Sequence, residues 1–272
     1  MTLSRLKISC LLLISFFALH SCHKKDIVGP QGPQGPPGPA GTSSVLKGDI
    51  QGKVLLYDIS GQIMADNSGA TVSLEETSPL LQAVSATNGS FTIPSVHEGY
   101  FNLSVQKQGY GSMRYFNFAN SGTVSASQTG PLELGQQMPA QYDIKQLKVD
   151  TGTFSNGQGY LTFTVILAHS QKVTNPVIIY FNDSTGVGNF KNKSAIWAGF
   201  FQQDDTTLVY SPYDNKLSDA SDKLSRADYI YLSVAIDNAK HLSYKDENGN
   251  QVYPDAGKPS PEVIVNNVLH KY

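Results

Sequence analysis

Short runs of alternating apolar and polar residues dominate the chain after residue 47, and this pattern most constrains its fold. In the run 100–106, Phe101, Leu103 and Val105 alternate with polar residues. An alternation of period two places apolar side chains on one face of a β-strand. Similar runs recur between breaks rich in Gly, Asn, Asp and Pro, and no long run of helical period separates them. The sequence therefore predicts an all-β protein of half-buried antiparallel strands.

The runs fall into two blocks that meet near residues 136–140. In the first block we predict strands over 50–57, 70–75, 82–86, 90–94, 100–106 and 113–119. Six or seven short strands without a long helix indicate a β-sandwich, which we place at residues 48–135. Asn88-Gly89 lies between two of these runs. It predicts a β-hairpin there, because both residues tolerate a positive φ.

Several short motifs of the first block occur in a recognisable order. They are 52–54 (GKV), 58–61 (DISG), 69–74 (GATVSL), 87–93 (TNGSFTI), 99–105 (GYFNLSV) and 109–110 (GY). In order and spacing this block resembles the carboxypeptidase regulatory-like domain, a transthyretin-like β-sandwich common in exported bacterial proteins. It departs from the family in the longer stretch between Gly61 and Gly69 and in Ser90. No histidine of the two blocks has a Glu three residues later, so the zinc pair of a carboxypeptidase is missing.

The second block, residues 141–272, predicts another sandwich, which we expect to be immunoglobulin-like. The runs 160–168 and 229–237 alternate, whereas 176–182 and 195–202 are more uniformly apolar, as central strands are. Leu217, Ala220 and Leu224 allow one short helix. The predicted fold is thus two β-sandwich domains in sequence.

The N-terminus carries the pattern of an export signal. Arg5 and Lys7 precede the apolar run 8–19, which is too short for the ~20 residues of a membrane-spanning helix. The run ends at Leu19-His20-Ser21-Cys22, which resembles the lipobox of bacterial lipoproteins. The resemblance implies that residues 1–21 are a signal peptide and that acylated Cys22 is a membrane-lipid anchor. His23, in place of an Asp, favours the outer membrane, and either of its faces is compatible with the sequence.

Residues 22–47 form the predicted tether, with glycine at every third position of residues 29–41. A collagen triple helix winds three such chains, but four Gly-x-y triplets are very few to hold a trimer. Proline favours the polyproline II conformation, which extends about 3.1 Å per residue, so 13 residues reach about 40 Å. We therefore expect an extended stalk, with trimerisation through 29–41 as the alternative.

Charge and motifs exclude several classes of function. Removal of residues 1–21 leaves 18 Lys and Arg against 22 Asp and Glu, a formal charge of −4 that argues against a nucleic-acid partner. The mature chain keeps only one cysteine, and no catalytic motif is present. We expect no enzyme activity, no cofactor and no metal site. Residues 246–250 (DENGN) alternate oxygen donors as a calcium loop does, but Asn-Gly in a hairpin explains them without an ion.

Aromatic residues are the remaining candidates for a ligand site. Exposed Trp and Tyr stack on the apolar C–H faces of sugars. We place Trp197 with Phe200 and Phe201 on one strand, and Tyr210 and Tyr213 in a loop around Pro212. A lone Trp between Ile196 and Ala198, on a run typical of a central strand, is more often a core residue than a binding residue.

The sequence therefore favours a non-catalytic binding or structural lipoprotein, with Trp197, Tyr210 and Tyr213 as candidate glycan-binding residues. The alternative is an accessory component of an envelope or nutrient-uptake assembly. Such a component would dock a partner protein through the regulatory-like domain. An enzyme with an unrecognised acid–base pair is the third hypothesis.

Overall fold

The computed structural model describes residues 46–155, 157, 159–211 and 218–269, which belong to one compact unit. Their secondary structure is almost entirely β, which confirms the predicted fold class. Within these ranges, no helix is both long and apolar enough to cross a bilayer. The predicted signal peptide, Cys22, the Gly-x-y run and Tyr213 lie outside the described residues.

Eight strands build the first sandwich. They are β1 (Lys47–Tyr57), β2 (Thr71–Leu74), β3 (Gln82–Val84), β4 (Ser90–His97), β5 (Gly99–Gln106), β6 (Met113–Asn120), β7 (Ser127–Gln128) and β8 (Leu132–Gly135). Sheet I has the order β4-β1-β7, with β8 also paired to β1, and sheet II has the order β3-β2-β5-β6. All six strands predicted for this block are present, within a few residues at each end.

The first core lies between sheets I and II. The alternation of β5 turns Phe101, Leu103 and Val105 inward, where they meet the inward residues of β1. The strands β7 and β8 both pair in parallel with β1. The chain therefore reaches them through a long connection rather than through a tight hairpin. With two and four residues, these strands are too short to show an alternating run in the sequence.

The predicted hairpin at Asn88-Gly89 is wrong, although a turn is present. Gly89 has φ of +83°, the left-handed conformation that glycine adopts without strain. A Cβ there would overlap the carbonyl oxygen of Val54. The flanking strands do not pair with each other, because β3 belongs to sheet II and β4 to sheet I. The turn therefore carries the chain from one sheet to the other.

A short 3-10 turn, Ala140–Tyr142, precedes the second sandwich. Its strands and helix are β9 (Ile144–Thr153), β10 (Gly159–Leu167), β11 (Val177–Asn182), β12 (Ser194–Ala198), β13 (Phe201–Asp204), β14 (Thr207–Tyr210), α1 (Ser218–Leu224), β15 (Tyr229–Ile236), β16 (Tyr244–Lys245), β17 (Gln251–Val252) and β18 (Val263–Asn266). Sheet III has the order β13-β14-β10-β9, and sheet IV has the order β12-β11-β15-β18. A separate hairpin joins β16 to β17.

The second core lies between sheets III and IV and is closed by α1. Ala220 and Leu224 of α1 are buried against it, as the predicted helix requires. Every residue of β11 is buried, because a third, smaller core covers the outer face of sheet IV. This explains why residues 176–182 are uniformly apolar rather than alternating.

The predicted strand 195–202 is wrong in one respect, because it is two strands. β12 ends at Ala198 in sheet IV, and β13 begins at Phe201 in sheet III. The chain changes sheets at Gly199 and Phe200. Continuous apolar character could not reveal this crossing, since Ala198 before it and Phe200 after it pack in the same core.

Residues 238–257, here called the junction segment, connect the two sandwiches. Leu242 belongs to the first core, although it follows β15 of the second sandwich. Asn238 Nδ2 donates to the carbonyl oxygens of Asp58 (3.0 Å) and Gln136 (2.9 Å). Lys240 Nζ lies 3.0 Å from Glu133 Oε1. The two cores are therefore tied together by a segment that sequence analysis had assigned entirely to the second block.

Candidate functional site

Trp197 lies on β12, an edge strand of sheet IV. Strand alternation turns Ile196 and Ala198 toward the second core and places Trp197 on the outer face, opposite Ile178 in register. The Trp197 side chain is 40% exposed. Its position therefore differs from that of a core tryptophan, which is the interpretation that the sequence favours.

Three contacts hold the indole of Trp197. Its Nε1 donates a 2.7 Å hydrogen bond to Oδ2 of Asp237. The rings of His241 and Tyr253 meet it edge-on, with centroids 5.3 Å and 5.5 Å away. Edge-on contacts suit the opposite charges of aromatic faces and edges. An exposed aromatic surface is thus fixed in one orientation before any ligand arrives.

Asp237 is fully buried and directly follows β15 in the chain. Oδ2 accepts from Trp197 and also from His241 Nδ1 at 3.0 Å, while Oδ1 accepts from the backbone N–H of Asn238 at 2.9 Å. A buried carboxylate is stable only when such donors replace its lost water. Asp237 therefore links the two side chains that form one wall of the site.

His241 occupies a turn of unusual backbone conformation. Its φ is +59°, a left-handed value that few residues other than glycine adopt. Its backbone N–H donates to the carbonyl oxygen of Asn238, which closes the turn. Strained positions of this kind concentrate at ligand sites, where the surrounding structure maintains them.

A cleft of about 350 Å³ opens beside these residues, here called the Trp197 cleft. It is lined by residues 173–177, by residues 197–200, and by Leu208 and His241. This volume lies at the lower end of the range of small-molecule sites, and most of the lining residues are apolar, with Thr174, Asn175 and His241 as the polar ones. Asn175 in this wall donates from Nδ2 to the carbonyl oxygen of Ile59 at 2.6 Å, so the first sandwich supports the cleft.

Of the other two predicted site residues, Tyr213 lies outside the described residues and Tyr210 does not join Trp197 at the surface. Tyr210 lies in β14 rather than in a loop and is only 7% exposed, which corrects its predicted placement. It packs 5.2 Å from the ring of Phe200, and Phe200 lines the cleft. Tyr210 therefore supports the cleft from the core side. Phe201 is 74% exposed on β13, in the other sheet from Trp197.

A second buried carboxyl group, that of Asp255, lies in the junction segment. Burial raises the pKa of Asp255 to about 8, and the nearby charge of Asp237 contributes to the rise. Neither oxygen of this buried carboxyl group has a hydrogen-bond partner among the described residues. The neutral acid is therefore the prevailing form of Asp255 at neutral pH.

The acidic loop 246–250 closes on itself as the turn of the β16–β17 hairpin. Oδ1 of Asp246 accepts from the backbone N–H groups of Asn248 and Asn250, and its Oδ2 accepts from Asn250 Nδ2. These bonds, led by that of the Asn250 side chain, lower the pKa of Asp246. Across the described ranges, no group of three or more His, Cys, Asp or Glu is arranged to hold a metal ion.

Sequence reasoning found Trp197 but missed its partners. His241 was considered only for a zinc pair, and Asp237 only as the end of an alternating strand. Their spacing of four residues directly after a buried strand was the available signal. It could not identify Trp197 as the third member, because Trp197 is 40 residues away in the chain.

No protein-family model matches the chain. No curated protein matches it either. Among solved structures, it is similar to a DUF3823 family protein from Parabacteroides merdae, with 12% identity, 82% of this chain and 100% of that chain covered, and a TM-score of 0.29. A DUF3823 family protein from Bacteroides ovatus shows 12% identity, coverage of 81% and 98%, and a TM-score of 0.26.

A type II cohesin–X-dockerin complex from Acetivibrio cellulolyticus is also similar, with 17% identity over 33% of this chain and a TM-score of 0.27. The chain spans 58% of the length of that protein. All three TM-scores are low, and these likenesses carry no weight for function. The site is therefore interpreted from its own geometry.

Proposed function

We propose that this protein is a non-catalytic binding module that holds a glycan in the Trp197 cleft. The observation that carries the proposal is the half-exposed indole of Trp197, fixed by Asp237 at the wall of a cleft. The apolar C–H face of a pyranose can stack on such a ring, and the fixed ring loses little conformational entropy on binding. His241 adds a polar group at the same wall.

The resemblance of the N-terminus to lipoproteins also supports a proposal for where the protein is located in the cell. In it, acylated Cys22 anchors the protein to the outer membrane, residues 22–47 act as a stalk, and residues 48–135 are a regulatory-like domain. The cleft would then be presented to glycans at a distance from the bilayer. The anchor and the binding site are separate parts of the proposal, and each has its own test.

The two edges of sheet II in the first sandwich are poor sites for docking a partner protein by strand addition. β3 is an exposed, uncharged edge of sheet II, but it is only three residues long. The opposite edge, β6, carries Arg114 and an irregular pairing register near Asn117, whose φ is +58°. Short, charged or irregular edges are those that natural sheets use to prevent strand addition.

The chain contains a single tryptophan, so its fluorescence reports directly on the cleft. We would titrate a soluble fragment, residues 46–272, with hexasaccharides of cellulose, xylan, mannan and chitin. Binding should change the emission of Trp197. Isothermal titration calorimetry, which does not depend on tryptophan, should show that binding is lost in Trp197→Ala. Phe201→Ala, which removes an exposed ring outside the cleft, is the matched control. Binding that survives in Trp197→Ala and disappears in Phe201→Ala would overturn the proposal.

A further inference from the structure

Asp237 connects the two side chains that form the polar end of the Trp197 cleft. A single oxygen, Oδ2, accepts from Trp197 Nε1 at 2.7 Å and from His241 Nδ1 at 3.0 Å. The two donors are 44 residues apart in the chain and come from an edge strand and a loop. Their relative position therefore depends on one buried carboxylate.

The same bond determines the proton arrangement of His241. A carboxylate oxygen only accepts, so the hydrogen-bonded Nδ1 must carry the proton. In the neutral ring, Nε2 is then a bare acceptor. In the part of the chain that the structure describes, no hydrogen bond involves Nε2, while His241 lines the cleft.

We infer that Asp237 is the positioning residue of the Trp197 cleft, which orients the indole and makes His241 Nε2 an acceptor for a ligand hydroxyl. This inference rests on the proposed glycan site and adds a requirement to it. The ligand must present a hydroxyl donor beside the C–H face that stacks on Trp197. A sugar ring offers both groups on neighbouring atoms, whereas a purely apolar ligand offers only the stacking face.

The central test needs no ligand. In protein labelled with 15N-histidine, long-range 1H–15N correlations distinguish the two neutral tautomers of each ring. His241→Gln assigns the His241 signals by their disappearance. Between pH 6 and 9, we expect the neutral His241 ring to carry its proton on Nδ1. Observation of the tautomer protonated on Nε2 would overturn the inference, even if glycan binding at Trp197 were established.

Variants then test positioning. Asp237→Asn keeps the shape of the side chain but places an N–H₂ group in a site surrounded by donors. We expect the Trp197 Nε1–H resonance to shift, the Nδ1 tautomer preference to weaken, and affinity for the bound hexasaccharide to fall about tenfold. An unchanged indole resonance and an unchanged tautomer in a folded Asp237→Asn protein would contradict the assignment.

Two further variants keep the inference testable if Asp237→Asn does not fold. Trp197→Phe keeps an aromatic ring but cannot donate to Asp237, and it should leave the His241 tautomer unchanged. His241→Gln should weaken hexasaccharide binding while the Trp197 Nε1–H resonance stays near its wild-type position. If no hexasaccharide binds the wild-type protein, the glycan proposal loses its support, and the tautomer measurement still decides the role of Asp237.

Discussion

Asp255 of the junction segment lies so close to Gly135 of β8 that a Cβ on Gly135 would overlap Oδ2 of the Asp255 carboxyl group. The two residues come from opposite sides of the contact between the sandwiches. Glycine is required here for space rather than for a special backbone conformation, since Gly135 is absent from the residues with positive φ. A side chain larger than that of glycine at position 135 would therefore collide with the Asp255 carboxyl group.

Gly135→Ala should destabilise the protein, because the added methyl group has no room beside the buried carboxyl group. Overpacking of this kind costs about 1–3 kcal/mol. Urea unfolding followed by circular dichroism measures the change. Gly130→Ala is the matched control, because a Cβ at Gly130 meets no atom within 4 Å. Equal stability of the two variants would show that the junction yields to the methyl group.

Stability should fall as the pH rises from about 4 to about 8, through the proton on Asp255. Its pKa is about 8 in the folded protein and near the ordinary 3.8 in the unfolded chain. Between these values the folded state holds a proton that the unfolded state has lost. The free energy of unfolding then decreases by up to about 1.4 kcal/mol per pH unit from this group and becomes flat above pH 8.

Asp255→Asn removes this titration and should reduce the pH dependence of unfolding over that window. The variant should gain stability relative to wild type as the pH rises toward 8. Asp205→Asn, on an exposed turn, controls for the loss of one negative charge. A wild-type slope that persists unchanged in Asp255→Asn would assign the dependence to another group.

Leu242→Ala should destabilise both sandwiches together. Leu242 follows β15 of the second sandwich but is buried in the first core, so truncation should cost about 2–4 kcal/mol. Trp197 fluorescence follows the second sandwich, and circular dichroism follows all strands. We expect both urea transitions to shift and to coincide. Leu80→Ala, with a side chain 56% exposed, should shift neither. A transition seen by circular dichroism alone would show independent domains.

Cys22→Ser should release the protein from the membrane fraction, because serine cannot receive the thioether-linked lipid of a lipoprotein. The measurement is the distribution of the protein between membrane and soluble fractions of the native cells. Ser21→Ala, which keeps a small residue before the cysteine, should leave the protein in the membrane fraction. Retention of Cys22→Ser in the membrane would contradict lipid anchoring.

Local alternation was sufficient to predict most of the strands, because a half-buried strand has apolar residues on its buried face and polar residues on its exposed face. Alternation could not predict features that depend on contacts between residues far apart in the chain. Asn88-Gly89 specifies a turn but not which sheet the next strand enters. The break at Gly199 was invisible because both sides contribute to one core. Likewise, Trp197 was recognisable as a candidate, but its bond to Asp237 follows from the pairing of β12, β11 and β15.

Asp237 and Asn238 are neighbours in the chain, yet their side chains bond to different parts of the protein. Asp237 fixes the wall of the cleft, and Asn238 donates to two carbonyl groups of the first sandwich. A rotation of one sandwich relative to the other would therefore move Asn238 with the first sandwich and, one peptide bond away, displace Asp237 and the indole that it holds. The junction segment thus couples the relative orientation of the two sandwiches to the geometry of the cleft wall.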